Sequence, residues 1–384
     1  MRNRGLLWVL ILLFACPAAL AETGDRHISP EELLEGTALG LSPDPTAIID
    51  GDDVMALSDE MREFLEDHVS RRAGTPIKTR QLTDAVFDQE IFGLEYDEVT
   101  RTAAETFAAR QANCLSFTFM LVVLARGVGL DANFQEVDIP ADWSFARDTY
   151  ILNRHINIRV EFKVGVIPDV IVDFNIPDLE ADYDMRVVSD GRALAHFFNN
   201  LGAELMQNGE TAAAFYAFRR AITDNDQSFA PAWDSLGTLY RRKGLAYHAE
   251  AAFLQALKID KSDLIAMSNL TSIYDRRGEP KLAARYRNRV KTHRMRNPYY
   301  RFQLARAAYH LEDYDLAIDH LKYALQKIKK EDRFCALLGL TYLQLGDEEK
   351  ARRWMARAEE YADSDEMKGT YSSKIDKLMS ASDP

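Results

Sequence analysis

Three residues of this chain have the types that nucleophilic chemistry uses. Cys114 directly follows Asn113, a good helix cap, and opens the apolar run of Leu115, Phe117, Phe119, Met120, Val123 and Leu124. Gly127 and Gly129 stop that run. A cysteine in the first turn of a helix is favoured as thiolate, because the helix dipole and free backbone N–H groups stabilise negative charge. His155 falls on the polar side of an alternating segment. There Ile156, Ile158, Val160 and Phe162 interleave with His155, Asn157, Arg159 and Glu161, the pattern of a half-buried strand. Asp173 lies in a second strand-like segment, 169–175, after a turn at 165–168. Hairpin pairing of the two segments brings Asp173 within a residue or two of opposing His155. Cys–His–Asp is the constellation for acyl transfer. The thiolate attacks an amide or ester carbonyl, the imidazole moves the proton, and the carboxylate holds the tautomer. The N–H of Cys114 and a second donor, for which Gln111 is the candidate, would form the oxyanion hole.

The elements around these residues read as α+β. Residues 100–111 have a helical pattern, and the helix that begins at Cys114 is apolar almost all round, so it is expected to be buried. A short strand is expected at 132–137, a loop around Trp143, and then the two strands that carry His155 and Asp173. The result is a buried helix packed on an antiparallel sheet.

Several segments here resemble a known family. They are Thr102-Ala103-Ala104-Glu105-Thr106-Phe107, Arg110, Asn113-Cys114-Leu115-Ser116 and Arg126-Gly127-Val128-Gly129-Leu130. Together with the order Cys, then His opening one strand, then Asp ending the next, they are similar to the transglutaminase-like core of the papain-like superfamily. The likeness covers roughly residues 96–175, under a quarter of the chain. It implies Cys114 as nucleophile, His155 as base and Asp173 as orienting group. Bacterial members of that family are thiol peptidases, amidases or amide-crosslinking enzymes, and some are inactive scaffolds. Three positions depart from the pattern. Ala112 stands where the family often has Gly, Asn157 where an aromatic is common, and Phe174 where Pro often follows the Asp. These departures bear on the substrate pocket and oxyanion geometry, while the triad is intact.

The C-terminal half is repetitive. Trp233, Leu236, Gly237, Tyr240, Gly244, Ala249, Phe253 and Ala256 follow the tetratricopeptide pattern. Small residues at Gly237 and Ala249 allow two helices to approach, and large ones at Trp233, Tyr240 and Phe253 fill the gaps between hairpins. The frame recurs at about 34-residue intervals. Leu201, Gly202, Leu205, Gly209, Ala214, Phe218 and Ala221 form the first copy. Leu270, Tyr274, Gly278 and Ala283 form the third, and Leu304, Ala308, Ala317, Leu321 and Ala324 the fourth. Leu338, Gly339, Tyr342, Gly346, Ala351, Met355 and Ala358 form the fifth. The organisation expected is an acidic, partly helical segment at 22–92, the α+β domain at 93–190 and five repeats at 195–365. A capping helix and tail follow at 366–384. A solenoid of this kind binds a protein or peptide. Arg241, Arg242, Arg276, Tyr299, Phe302, Arg306 and Tyr309 are expected on its concave face.

Charge is unevenly placed. The chain has a formal net charge of -13, which argues against nucleic acid as a partner. Yet residues 276–306 hold eleven Lys or Arg and one acid, Glu279. Such a sector either serves the molecule's own acidic surfaces or takes an anionic partner. At the N-terminus, Arg2, Arg4 and the apolar run 6–14 read as an export signal, with Ala19-Leu20-Ala21 as its cleavage site. Leu13-Phe14-Ala15-Cys16 offers the alternative of lipidation at Cys16, the one route to a membrane that the sequence suggests. Either way the chain is expected in the periplasm or cell envelope. The two cysteines beyond the signal, Cys114 and Cys335, make no disulfide framework, and Cys335 reads as a small core residue. No phosphate loop, dinucleotide fingerprint or zinc-spaced histidine pair occurs, so no cofactor or metal is expected.

Overall fold

The computed structural model describes residues 28–42, 50–138, 143–146, 149–152, 155–162, 168–174, 184–362 and 365–380. The N-terminal segment read as an export signal, with Cys16, lies outside them. Four helices come first: α1 (Pro30–Glu35), α2 (Gly51–Val54), α3 (Asp59–His68) and α4 (Thr75–Phe87). Ser29, Asp50 and Ser58 cap the first three by accepting a first-turn N–H.

The mixed domain follows. Strand β1 (Glu95–Tyr96) pairs in parallel with β2 (Gln111–Ala112), and α5 (Ala103–Ala109) lies between them in sequence. This helix is shorter than its sequence pattern because its ends are fixed chemically. Thr102 and Glu105 form a reciprocal capping box at one end, and Arg110 takes a left-handed conformation (φ 54°) at the other. Next comes α6 (Cys114–Gly127), in which every residue from Leu115 to Ala125 is buried. The strands are β3 (Asp131–Asp138), β4 (Trp143–Ala146), β5 (Thr149–Leu152), β6 (His155–Glu161), β7 (Val170–Val172) and β8 (Asp184–Val188).

Four of these strands make an antiparallel sheet in the order β7-β6-β3-β8. Its register aligns Phe134, Ile158 and Val172 across three strands. Phe134 meets Phe119 of α6 at 4.8 Å between ring centroids, so this row packs beneath the cysteine helix. The expected loop around Trp143 is instead a strand. β4 and β5 pair as a separate antiparallel hairpin, consistent with the β-favouring residues Trp143, Phe145, Tyr150 and Ile151.

Five helical hairpins complete the chain. They are α7 (Asp190–Gln207) with α8 (Thr211–Arg220), α9 (Ala230–Arg242) with α10 (Ala246–Ile259), and α11 (Leu264–Arg276) with α12 (Pro280–Arg294). Then come α13 (Pro298–His310) with α14 (Tyr314–Lys327), and α15 (Asp332–Gln344) with α16 (Glu348–Tyr361). A last helix, α17 (Asp365–Ser380), packs on α16. Close approach within hairpins depends on missing side chains. A Cβ at Gly237 would stand 2.9 Å from the Phe253 ring. Gly244 turns the chain between α9 and α10 at φ 78°, which an L side chain rarely adopts.

The described residues form two cores. One runs without a break from the N-terminal helices through the sheet to the third hairpin, and the second joins the fourth and fifth hairpins to α17. The mixed domain and first hairpin are therefore fused. Phe197 of α7 packs on Phe119, and Arg192 and His196 of α7 both hold Glu136 of β3 at 2.7 Å. The N-terminal segment spans both units. Leu57 and Leu65 pack where α6 ends at Gly127, while Tyr240 of α9 donates its hydroxyl to Leu33 O (2.6 Å). Strand β5 also lies close to α11. Cys335 is fully buried in the second core, and burial pushes its thiol up to about 12.

Candidate active site

Cys114 sits in the first turn of α6. Asn113 caps this helix by accepting the Ser116 N–H (2.8 Å), and its amide donates to Thr100 Oγ1 (3.2 Å). Thr100 N–H in turn donates to Glu204 of α7 (3.0 Å). Arg101 N–H donates to Ser116 Oγ (2.9 Å), so the loop before α5 also clamps the start of the cysteine helix. The cap consumes one N–H of the first turn. The others, including that of Cys114 itself, have no partner within the helix.

Thr118 links the helix to the sheet. Its hydroxyl lies 2.8 Å from Cys114 O and 3.1 Å from Ile156 O, bridging one residue after His155. The start of α6 and the start of β6 are thereby held together. His155 opens β6, and Asp173 immediately follows β7. The last rung of that pair is Ile158 with Val172, so Asp173 falls level with Asn157, two residues along from His155.

The three candidate residues meet. His155 Nε2 is hydrogen-bonded to Asp173 Oδ2, and Cys114 lies near enough to help raise the His155 pKa. With Nε2 turned to the carboxylate, Nδ1 is the ring nitrogen left for the thiol. Asp173 is 2% exposed and the His155 side chain 14%, while Cys114 is half-buried. Burial alone would disfavour the imidazolium. The hydrogen bond to Asp173, the nearness of Cys114 and the charges of both groups more than offset it and raise the His155 pKa to about 9. The arrangement can therefore hold the His155 imidazolium at neutral pH.

Residues outside the sequence-derived set complete the site. Asn157 is fully buried, so β6 is covered on both faces there and departs from half-buried alternation. Its Nδ2 donates to Asp173 Oδ2 at 3.0 Å. The only trace of this in the sequence is a polar residue where the family resembled has an aromatic. Gln111, the candidate second oxyanion donor, lies in β2, three residues before Cys114, and its backbone carbonyl accepts from Arg101 (3.5 Å).

The seven residues expected on the concave face all lie on the first helix of a hairpin, but they differ in freedom. Tyr299 and Phe302 are half-buried and pack on Phe334 with ring centroids 5.5 and 5.0 Å apart. These rings bind the fourth hairpin to the fifth and are not free contact surface. Arg241 is half-buried, and Arg242 reaches Met206 O at 3.4 Å. Arg276 and Arg306 are exposed, and Tyr309 packs on Tyr314.

The basic sector is partly engaged by its own hairpins. Arg277 pairs with Glu250 and Glu279, Arg287 with Asp275, and Arg301 lies over Tyr323. Lys281, Arg289, Lys291 and Arg296 are exposed along and after α12. Among the described residues, no group of three or more His, Cys, Asp or Glu could hold a metal ion. No helix among them is long and apolar enough to cross a membrane.

Comparison with known proteins locates the repeats. A tetratricopeptide repeat family model matches residues 230–263, and a second matches 308–370. Both lie in the helical hairpins, so the C-terminal region is a tetratricopeptide repeat solenoid, a protein-interaction scaffold. Among solved structures, the chain is similar to YrrB, described as a TPR protein with an unusual peptide-binding site. That match has 21% identity and a TM-score of 0.25, covering 45% of this chain and 89% of that one. It is also similar to MamA, with 17% identity and a TM-score of 0.25, covering 44% of this chain and 91% of that one. A third likeness is to the APC/C hetero-tetramer Cut9-Hcn1, at 20% identity and a TM-score of 0.25, covering 48% and 36%. No curated protein matches the chain.

Proposed function

We propose that this is an exported envelope protein that binds a protein or peptide through its repeats and acts on an amide bond of that partner. The acting site would be Cys114, His155 and Asp173 of a transglutaminase-like domain. The single observation behind this reading is the convergence of Cys114, at a helix N-terminus, with the hydrogen-bonded His155–Asp173 pair, held by the Thr118 bridge between α6 and β6.

The chemistry follows from those contacts. The Cys114 thiolate, paired with the His155 imidazolium, adds to the amide carbonyl. Negative charge passes to the carbonyl oxygen, where the first-turn N–H groups of α6 can stabilise it. His155 gives its proton to the leaving amine as the C–N bond breaks, which leaves an acyl thioester on Cys114. Water or a second amine then attacks the thioester, His155 takes the incoming proton, and Cys114 departs as thiolate. Asp173 keeps the imidazole oriented throughout. Hydrolysis and amide transfer differ only in which nucleophile reaches the thioester.

A second reading is an adaptor that keeps this fold without turnover. It is favoured by the family-model matches, which fall on the repeats alone. Iodoacetamide separates the two. In the enzyme reading, Cys114 is alkylated rapidly at neutral pH while fully buried Cys335 is spared, and His155→Ala slows Cys114 alkylation. Labelling of Cys114 no faster than an ordinary buried thiol, or unaffected by His155→Ala, would leave the adaptor. Partners retained by the Cys114→Ala protein would then identify what the repeats bind.

A further inference from the structure

An exposed aromatic ring stands beside the candidate thiol without an evident structural need to be there. Tyr96 is 62% exposed. Its backbone is fixed by the parallel β1–β2 pairing, which sets Tyr96 against Ala112, two residues before Cys114. Asp97 N–H donates to Ala112 O (3.0 Å) and Glu95 N–H to Arg110 O (2.9 Å), so the strand is held on both sides of Tyr96.

The ring is supported from beneath. It stacks on Phe174 at 6.1 Å with an interplanar angle of 27°. Phe174 immediately follows Asp173 and packs on Phe117 at 5.0 Å, and Phe117 packs on Phe87 at 5.5 Å. Phe117 is fully buried one helical turn after Cys114. The result is an aromatic column that passes through buried Phe117, between the cysteine and aspartate segments, with Phe87 (37% exposed) at one end and Tyr96 at the other. Val99, 47% exposed, adds a second apolar side chain on the same loop. The Cys114 charge contributes, after burial, to raising the Tyr96 phenol pKa, which agrees with their proximity.

We propose that Tyr96, backed by Phe174, is the specificity-determining shelf of the thiol site, taking an aromatic or large aliphatic side chain next to the scissile amide. This rests on the proposed thiol chemistry and names the substrate class for it. A preformed, half-desolvated ring binds an apolar side chain at little ordering cost. The neighbouring Glu95 and Glu98 are exposed and disfavour an acidic side chain at the same place. Two of the three departures of the chain from the family it resembles, Asn157 and Phe174, then have separate uses: one holds Asp173, and the other floors the shelf.

The test measures binding separately from reactivity. Peptides N-acetyl-X-Gly-amide, with X as Phe, Leu, Ala or Glu, are titrated into the full-length Cys114→Ala protein. The same four X groups, as acetyl-X chloromethyl ketones, are used to alkylate Cys114 in the native protein, each rate normalised to iodoacetamide on the same variant. Phe and Leu should exceed Ala by about tenfold in both series, and Glu should fall below Ala. Tyr96→Ala should abolish the preference and Tyr96→Phe should keep it. Equal affinities across X, or a preference that survives Tyr96→Ala, overturns the shelf. A Tyr96-dependent binding preference with a Cys114 inert to iodoacetamide keeps the shelf and removes the thiol reading. A reactive Cys114 without preference does the reverse.

Discussion

Asn157 donates its side-chain amide to Asp173 Oδ2 at 3.0 Å, and that same oxygen faces His155 Nε2. One carboxylate oxygen thus serves both a neutral donor and the imidazole. Asn157→Ala should weaken the site in a specific direction. Removing a donor makes the buried carboxylate more basic, so it holds the shared proton of His155 more tightly. The alkaline limb of the Cys114 acylation profile should move to higher pH. The vacated, partly unsatisfied site should also cost about 1–3 kcal/mol in denaturant unfolding. An unshifted limb would mean that Asn157 only fills space.

The His155 proton itself sets a second expectation. The imidazolium is favoured in the folded site, with its pKa raised from 6.5 to about 9. A group raised on folding contributes stability that is fully present below its unfolded value. That contribution is lost as pH climbs from about 6.5 through about 9. Protonation of a leaving amine by His155 should fail over the same upper range. A pH–rate profile for Cys114 acylation should therefore fall near pH 9, and Asp173→Asn should bring that fall toward 6.5. An assigned His155 resonance titrating near 6.5 in the native protein would contradict the paired site.

How much of this was legible in the sequence depends on range. Local chemistry reads well: Asn113 before an apolar run marks the start of α6, and the spacing of Gly237, Gly244 and Phe253 marks a hairpin. The alternation from His155 to Phe162 marks β6, though not that Asn157 is buried, because burial of the second face comes from elsewhere in the chain. The hairpin β4–β5 was hidden because its pairing is with itself across a short connection, with no Asn-Gly or Asp-Gly turn to announce it. Tyr299 and Phe302 look like contact residues on a helix face until the next hairpin supplies Phe334. The candidate triad could be named from types and order, while the residues that brace it, Thr118, Asn157 and Glu204, are joined by contacts that leave no spacing pattern.

The contact between Tyr240 and Leu33 illustrates such a long-range joint, its ends 207 positions apart. Tyr240 is fully buried, and its hydroxyl satisfies a backbone carbonyl of α1. Tyr240→Phe keeps the ring and removes only this bond. The expected cost is about 1 kcal/mol, or more if Leu33 O is left buried without a partner. Amide exchange should accelerate in residues 30–42 before it changes in the repeats, because α1 is a short helix that depends on its docking. Uniform acceleration across the chain would show instead that α1 and the repeats open as one unit.

Gly237 gives the sharpest test of the repeat packing. A Cβ there would lie 2.9–3.0 Å from three atoms of the Phe253 ring, which is itself fully buried between hairpins. The ring cannot withdraw without disturbing its neighbours in the continuous first core. Gly237→Ala should therefore destabilise by about 1–3 kcal/mol through overpacking, although alanine is the better helix former by about 1 kcal/mol. Steric cost and helix propensity oppose one another here, so the sign of the change decides between them. Phe253→Leu on the Gly237→Ala background should recover part of the loss by vacating the contact, giving a non-additive double-mutant cycle. Additive losses would mean that the alanine is accommodated by a shift of the whole helix rather than by strain on this one ring.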